Sequence, residues 1–418
     1  MSRVFGSWFF FLLFILVDFY VFQALRALGD SWHPRVRWWL YLSYWSITLI
    51  SAGLIISVIF QGLDAWPQLL RTYVFAVLIG FFIAKITASV FFVADDMRRL
   101  MQWSASFFIK KPHIENGVNT GGIPRSVFMS WLGLISGGSL FGTLLYGFGN
   151  KYRYEVRKHR LHFPNLPEAF RGFRIVHISD IHSGSFTDKE AVAKGVNLIQ
   201  KQNADLILFT GDLVNQSADE MDPYVDLFAG LKAQHGVYAT LGNHDYGFPM
   251  AETEHEKLKK QQETARAVES VHRQLGWKTL SNQFAVIEIN DEKIVLIGVE
   301  NISGKPNFPS YGKLNEAYRG TEAYPFKILL SHDPSHWNKE VTTNYKDINL
   351  TLSGHTHGMQ FGVELPWFKW SPVKYFYKQW AGHYKEGNQH LYVNRGFGFI
   401  GYPGRVGILP EITVLELV

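Results

Sequence analysis

The sequence predicts an α/β soluble domain built around largely parallel sheet, preceded by an all-α bundle of four membrane helices. Three observations carry this. Long apolar runs are confined to the first 150 of 418 residues, short apolar runs and helical periodicity alternate after about Lys151, and Asp, Asn and His residues follow several predicted strands.

The four apolar runs span Val4 to Leu25, Trp38 to Phe60, Val74 to Val93 and Val127 to Phe148. Each approaches the ~20 residues that a helix needs to cross ~30 Å of hydrocarbon, and one cleaved signal peptide cannot account for four. Trp38, Trp39 and Tyr73 lie near run ends, where amphipathic rings favour the interface. Asp18 and Lys85 fall inside the first and third runs, very roughly 20 Å from the start of each helix at ~1.5 Å per residue. Helices one and three run the same way, so the two charges can meet as a buried ion pair or belong to an ion or proton path. Basic residues flanking the spans are nearly balanced between the two sides and set no orientation. Arg125-Ser126-Val127-Phe128 resembles a twin-arginine export signal that lacks its second arginine.

After a linker at 151–172, the soluble part runs from 173 to 418. Phe173 to Ile178 reads as a buried strand. Asp188 caps a helix with Val192, Val196 and Ile199 on one face, and Leu206 to Phe209 is the next strand. Strand, helix, strand is the unit of parallel sheet. Further strands are expected at Val237 to Thr240, Ile294 to Val299, Ile328 to Leu330 and Ile348 to Leu352. An amphipathic helix carries Val268, Val271, His272 and Leu275.

The chain has no cysteine, which excludes disulfides, thiolate metal ligands and thiol nucleophiles. Its net charge of +5 is modest, and many basic residues flank apolar runs, which points to lipid headgroups more than to nucleic acid. Metal-type residues follow the strands as Asp180-Ile181-His182, Gly211-Asp212, Gly242-Asn243-His244-Asp245, Ser331-His332 and Gly354-His355-Thr356-His357. Open α/β sheets bind ligands beyond the carboxyl ends of their strands, so five strands can supply one edge. Ligands two apart, as in Asp180 with His182 or His355 with His357, are expected to project from one side of an extended segment. Any one fragment is more readily a turn or a cap. Together they favour a site.

These blocks, in this order, resemble the calcineurin-like metallophosphoesterases over roughly residues 170 to 418. The resemblance implies a four-layer αββα sandwich of two mixed sheets and two divalent metal ions, of a kind such as Mn, Fe or Zn. Carried over, it implies Asp180, His182 and His357 on one metal, Asn243, His332 and His355 on the other, and Asp212 bridging. His244 would stabilise the transition state or protonate the leaving oxygen, oriented by Asp245. A metal-bridging hydroxide would attack the phosphorus, with the ions stabilising both reacting oxygens. Many relatives continue G-D-x-x-D, whereas this chain has Asn215 there.

Within that family the chain is most similar to the bacterial membrane-anchored subgroup, through Gly242 to Tyr246 and the tail from Asn394-Arg395-Gly396 to Pro410-Glu411. That implies a place in the cytoplasmic membrane and hydrolysis of a phosphodiester or pyrophosphate bond in a lipid-linked substrate such as UDP-2,3-diacylglucosamine. Arg395 and Arg405 are candidate phosphate contacts, since guanidinium binds phosphate bidentately. Pro366 to Tyr384 is crowded with aromatic and basic residues that suit a membrane interface, an acyl chain or plain packing. The alternatives are a tethered phosphatase or nuclease for soluble substrates and a non-catalytic membrane sensor or scaffold. The sequence leaves open the membrane side of the active site and the oligomeric state.

Overall fold

The structure, a computed structural model, describes residues 2–62, 66–107, 125–306 and 308–418. The chain divides into two compact units, Met1–Tyr146 and Gly147–Val418.

The first unit holds the expected bundle: helices α1 (Ser2–Gly29), α2 (Pro34–Gln61), α3 (Gln68–Ser106) and α4 (Arg125–Gly147). All four are long and apolar enough to cross a membrane. Large apolar side chains such as Phe9, Leu16 and Leu49 point outward, as a lipid solvent permits. Asp18 and Lys85 are buried and bonded to each other, with the ammonium over the rings of Phe14, Phe81 and Tyr44. The tightly paired charges match the structural ion pair. Gly133 and Gly137 of α4 lie against Ala88 and Ala84 of α3 so closely that a Cβ on either glycine would strike backbone carbonyl oxygen, which is small-residue packing of the membrane kind. Helix α3 continues past the predicted Val93 because Asp95 pairs with Arg98 and Arg99 one turn on.

The second unit contains fourteen strands among its described residues. In chain order they are β1 (Glu155–Leu161), β2 (Arg174–Ile178), β3 (Leu206–Thr210), β4 (Val237–Thr240), β5 (Lys278–Thr279), β6 (Gln283–Ile289) and β7 (Glu292–Gly298). β8 (Lys327–Leu330), β9 (Leu350–Ser353), β10 (Val363–Leu365), β11 (Phe368–Trp370), β12 (Gly382–Glu386), β13 (Gln389–Val393) and β14 (Glu411–Leu417) follow. Two six-stranded mixed sheets form, in the orders β1-β14-β2-β3-β4-β5 and β12-β13-β9-β8-β7-β6, with β10-β11 a separate two-stranded ribbon.

Alternation along the strands builds the layers. Ile175, Leu206, Leu208 and Leu415 face Leu296, Ile328, Leu330 and Leu352 between the sheets. Val176, Ile178, Ile207 and Phe209 point the other way, under α5 (Lys189–Gln200) and the helix Glu254–Gln274. Val295, Ile297 and Leu329 form the outer core of the second sheet with Leu314, Trp337 and Val341. This is the expected four-layer arrangement. Asp188 caps α5, accepting from Ala191 N–H at 2.9 Å. β1 arises inside the stretch expected to be a linker and pairs in parallel with β14 at the edge of the first sheet. Its charged EVRKHRL pattern gives no core-strand signal because only one edge and part of one face are covered.

Candidate metal centre

β2, β3 and β4 run parallel, and so do β8 and β9, so their carboxyl ends meet at one rim of the sandwich. Asp180, His182, Asp212, Asn243, His332 and His357 are all buried there. Asp180, His182 and His357 form one group whose ligand atoms lie within 4.8 Å of one another, and Asp212, His332 and His355 form a second. The groups meet at Asp212, whose Oδ2 lies 3.5 Å from His182 Nε2 and 3.1 Å from His332 Nε2. His357 Nε2 sits 3.2 Å from Asp180 Oδ1 and 3.1 Å from His182 Nε2, and His355 Nδ1 sits 3.3 Å from His332 Nε2. Asn243 lines the same cavity, and neither side-chain polar atom of this buried amide has a hydrogen-bond partner. A buried unpaired amide is costly, and a cation would satisfy its oxygen. The donor set thus fits two metal ions.

The backbone that presents these groups differs from the extended geometry expected of D-x-H and H-x-H. Asp180, His182, Asp212, His355 and His357 all adopt positive φ, between 49° and 69°. Left-handed backbone at non-glycine residues is strained and clusters at functional sites. Side chains two apart converge here because the chain coils at both positions, not because a strand alternates. Gly211 (φ 88°) extends the coil before Asp212, and Gly354 passes so close to Ser179 and Asp180 that a Cβ would collide with them.

The neighbouring groups bias these side chains toward forms that could bind a cation. Burial would raise both carboxyls, but His357 beside Asp180 and His332 beside Asp212 keep them well below the usual carboxylate range. Burial lowers His182 and His355, which favours the uncharged imidazole that a metal requires. His332 resists burial and is pushed up to about 10, chiefly by Asp212, so a cation bound there displaces a proton. Ring orientation is fixed from behind. His332 Nδ1 donates to the Thr210 carbonyl at 2.7 Å, and His355 Nε2 meets the Tyr377 hydroxyl at 2.7 Å with Asp333 3.8 Å away.

Three sequence-based assignments change. Asp245 does not touch the His244 ring. Its carboxylate accepts from the N–H groups of Gly242, Asp212 and Leu213, each at 2.8 Å, and so ties the two ligand loops together. His244 is oriented by the Asn215 carbonyl, to which its Nδ1 donates at 2.9 Å, leaving Nε2 uncommitted beside the cavity. A main-chain oxygen does this whatever the side chain, so asparagine at 215 loses nothing there. Arg395 and Arg405 are not phosphate contacts, because both are buried and occupied. Arg395 bonds Glu411 at 2.5 Å and Glu364 at 2.6 Å. Arg405 donates to the carbonyls of Arg395, His357, Gly396 and Gly398 beneath the ligand loop.

A cavity of about 450 Å³ opens over the two groups. His182, Asp212, Asn243, His244 and His355 form its polar floor, while Phe308, Met359, Val373, Phe376 and Ile400 supply apolar wall. Lys305 lines it too and was missed from sequence, as were Tyr377 as a partner of His355 and the Thr210 carbonyl. A lone lysine in a loop has no spacing signal, and main-chain acceptors leave none at all.

Two family descriptions match the chain: "Probable Calcineurin-like phosphoesterase, transmembrane domain" over residues 2–150 and "Calcineurin-like phosphoesterase" over residues 173–359. The chain belongs to the calcineurin-like metallophosphoesterases. As such it is a metal-dependent phosphoric ester hydrolase associated with a membrane. This metallophosphoesterase is 29% identical over 309 residues to metallophosphoesterase YkuE of Bacillus subtilis, covering 70% of this chain and 96% of that one. It is 29% identical over 267 residues to phosphodiesterase YaeI of Escherichia coli, covering 63% and 88%. It is 27% identical over 278 residues to the UDP-2,3-diacylglucosamine pyrophosphatase LpxG of Chlamydia muridarum, covering 56% and 81%.

Proposed function

We propose that the unit Gly147–Val418, which adds β1 to the expected 173–418, is a dinuclear phosphoesterase domain, tethered by the preceding membrane domain in the cytoplasmic membrane of a bacterium. It would hydrolyse a phosphodiester or pyrophosphate bond of a lipid-linked substrate, and a UDP-2,3-diacylglucosamine-like molecule is one candidate. The observation that carries the reading is the junction of the two ligand groups at Asp212 under a single cavity.

Asp180, His182 and His357 would hold one divalent ion, His332, His355 and Asn243 the other, and Asp212 both. When bound, such a pair supplies activated water and charge stabilisation at the attacking and leaving oxygens. The chain's own residues do the rest. His244, its Nδ1 fixed on the Asn215 carbonyl, turns Nε2 to the cavity, from which the imidazolium form would pass a proton to a departing oxygen. Asp245 keeps the loops of Asp212 and Asn243 in register through their backbone N–H groups. The apolar wall beside the polar floor suits a substrate with a phosphoryl head and a hydrocarbon part.

The test is a substrate screen on purified, metal-analysed full chain, comparing detergent-dispersed lipid esters with water-soluble ones. Preference for the lipid esters is expected, and equal rates on both would overturn the lipid assignment. A topology reporter fused at Val418 reads the membrane side of the active site.

A further inference from the structure

We propose that the β10-β11 ribbon and the turn after it form a membrane-docking surface that inserts into an anionic lipid interface beside the mouth of the catalytic cavity.

The ribbon is inside out relative to an ordinary strand pair. Cross-strand partners share a face, and the pairs are Val363 with Trp370, Glu364 with Lys369, and Leu365 with Phe368. The charged pair is the anchored one. Glu364 accepts from Arg157 at 2.9 Å and from Arg395 at 2.6 Å, and the Lys369 ammonium donates to the Ala381 carbonyl at 2.5 Å, over the Trp380 ring. The apolar pairs face away, leaving Val363, Leu365 and Phe368 exposed, with Trp367 at the tip 81% exposed. A strand pair with one solvated face normally turns its polar side to water, and a lone two-stranded ribbon is marginal without a covering layer. Contiguous exposed apolar surface of this kind marks an interaction site.

The surface continues toward the active site. Trp370 Nε1 reaches the Tyr375 hydroxyl at 3.5 Å, and Tyr375 and Phe376 are 71% and 60% exposed. Phe376 also lines the cavity. Trp380, Val373, Ala381 and Ile408 form a small buried core beside the exposed rings, so packing and exposure divide the segment between them. Phe248 is exposed and packs edge-on to the cavity-lining His244 with ring centroids 4.9 Å apart.

A lipid interface is the occupant that the chemistry selects. Exposed Trp, Tyr and Phe interleaved with lysine is the composition that settles at headgroup depth. Lys374 and Lys378 are exposed among these rings and complement anionic headgroups. The protein carries four helices able to span a membrane, so a bilayer is always among its surroundings. A cavity that opens beside such a surface can receive a substrate without exposing its acyl part to water.

Because the chain has no cysteine, a single one can be introduced as a reporter. The full-length Trp367→Cys variant is labelled with a polarity-sensitive fluorophore and reconstituted into vesicles of equal parts phosphatidylcholine and phosphatidylglycerol. Nitroxide-bearing lipid then serves as quencher. Gln262→Cys, on the exposed side of the helix Glu254–Gln274, is the control. The proposal expects a blue-shifted label at 367, quenched several-fold more strongly than at 262, and weaker quenching when Lys374 and Lys378 are also changed to Gln. Equal, weak quenching at both sites overturns it. A label shielded from water but untouched by lipid quencher also overturns it, in favour of a protein partner. The readout needs no turnover, so it stands or falls separately from the hydrolytic assignment.

Discussion

Replacing Arg395 by Met removes the cation from a closed network. Glu411 is fully buried and accepts from Arg395 at 2.5 Å and from the hydroxyls of Tyr392 and Thr413 at 2.6 Å each. Burial would raise its carboxyl, but Arg395 foremost, with Arg157, lowers it from 4.5 to about 2. At ~1.4 kcal/mol per tenfold change in proton affinity, that is roughly 3 kcal/mol. The figure agrees with the ~3–5 kcal/mol typical of breaking one side of a buried pair. A domain of this size loses about 2–4 °C of melting temperature per kcal/mol, so R395M should melt roughly 6–12 °C lower. The folded carboxyl is depressed, so the stabilisation is complete above pH ~4.5 and disappears as pH falls toward about 2. The gap between wild type and variant should close over that window, and Glu411→Gln added to R395M should recover part of the loss. Thermal melts of the detergent-solubilised chain, followed by intrinsic fluorescence, read all three. Because the guanidinium points into the core, KM should stay within about twofold at a temperature where the variant is folded. A KM raised tenfold or more with an unmoved melting temperature would refute the structural role and return Arg395 to the substrate.

Asp212→Ala should abolish turnover together with bound metal, and His244→Ala should lower kcat by roughly 10²–10⁴-fold with metal content intact, as elemental analysis beside kinetics would show. Asp245→Leu removes the acceptor of the Gly242, Asp212, Leu213 and Val214 N–H groups while sparing the bond from His244 to Asn215. Its deficit should be a metal affinity lower by about 10–100-fold, read by competition with a chelator. Tyr377→Phe removes the hydroxyl on His355 Nε2 and should weaken metal binding by up to about tenfold, with the same assay deciding.

What the sequence displayed well were the features set by local pattern: four hydrophobic spans, the capped helix after Asp188, and ligand-type residues falling two to four positions beyond strand ends. What it hid depends on partners far along the chain. Arg395 looks like an anion-binding arginine until Glu364 and Glu411 are brought to it by folding. Asp245 follows His244 directly, yet its oxygens serve Asp212 and Leu213, more than thirty residues away in sequence. β1 was invisible as a strand because three of its seven residues are Arg or Lys and one more is His, the composition of an edge. The aromatic segment from 366 to 384 had two opposed readings because alternation shows which residues share a face, but not which face the protein covers.

The pairing of β1 with β14 also constrains the order of events during synthesis. β1 lies at the sheet edge and has β14 as its neighbour, so it stays unpaired until residues 411–417 have been made, about 250 positions after it. At typical elongation rates of ~5–20 residues per second, that interval is roughly 10–50 s. The run Arg157-Lys158-His159-Arg160 repels like copies on neighbouring nascent chains through that wait, and lets the last strand close the sheet between β1 and β2.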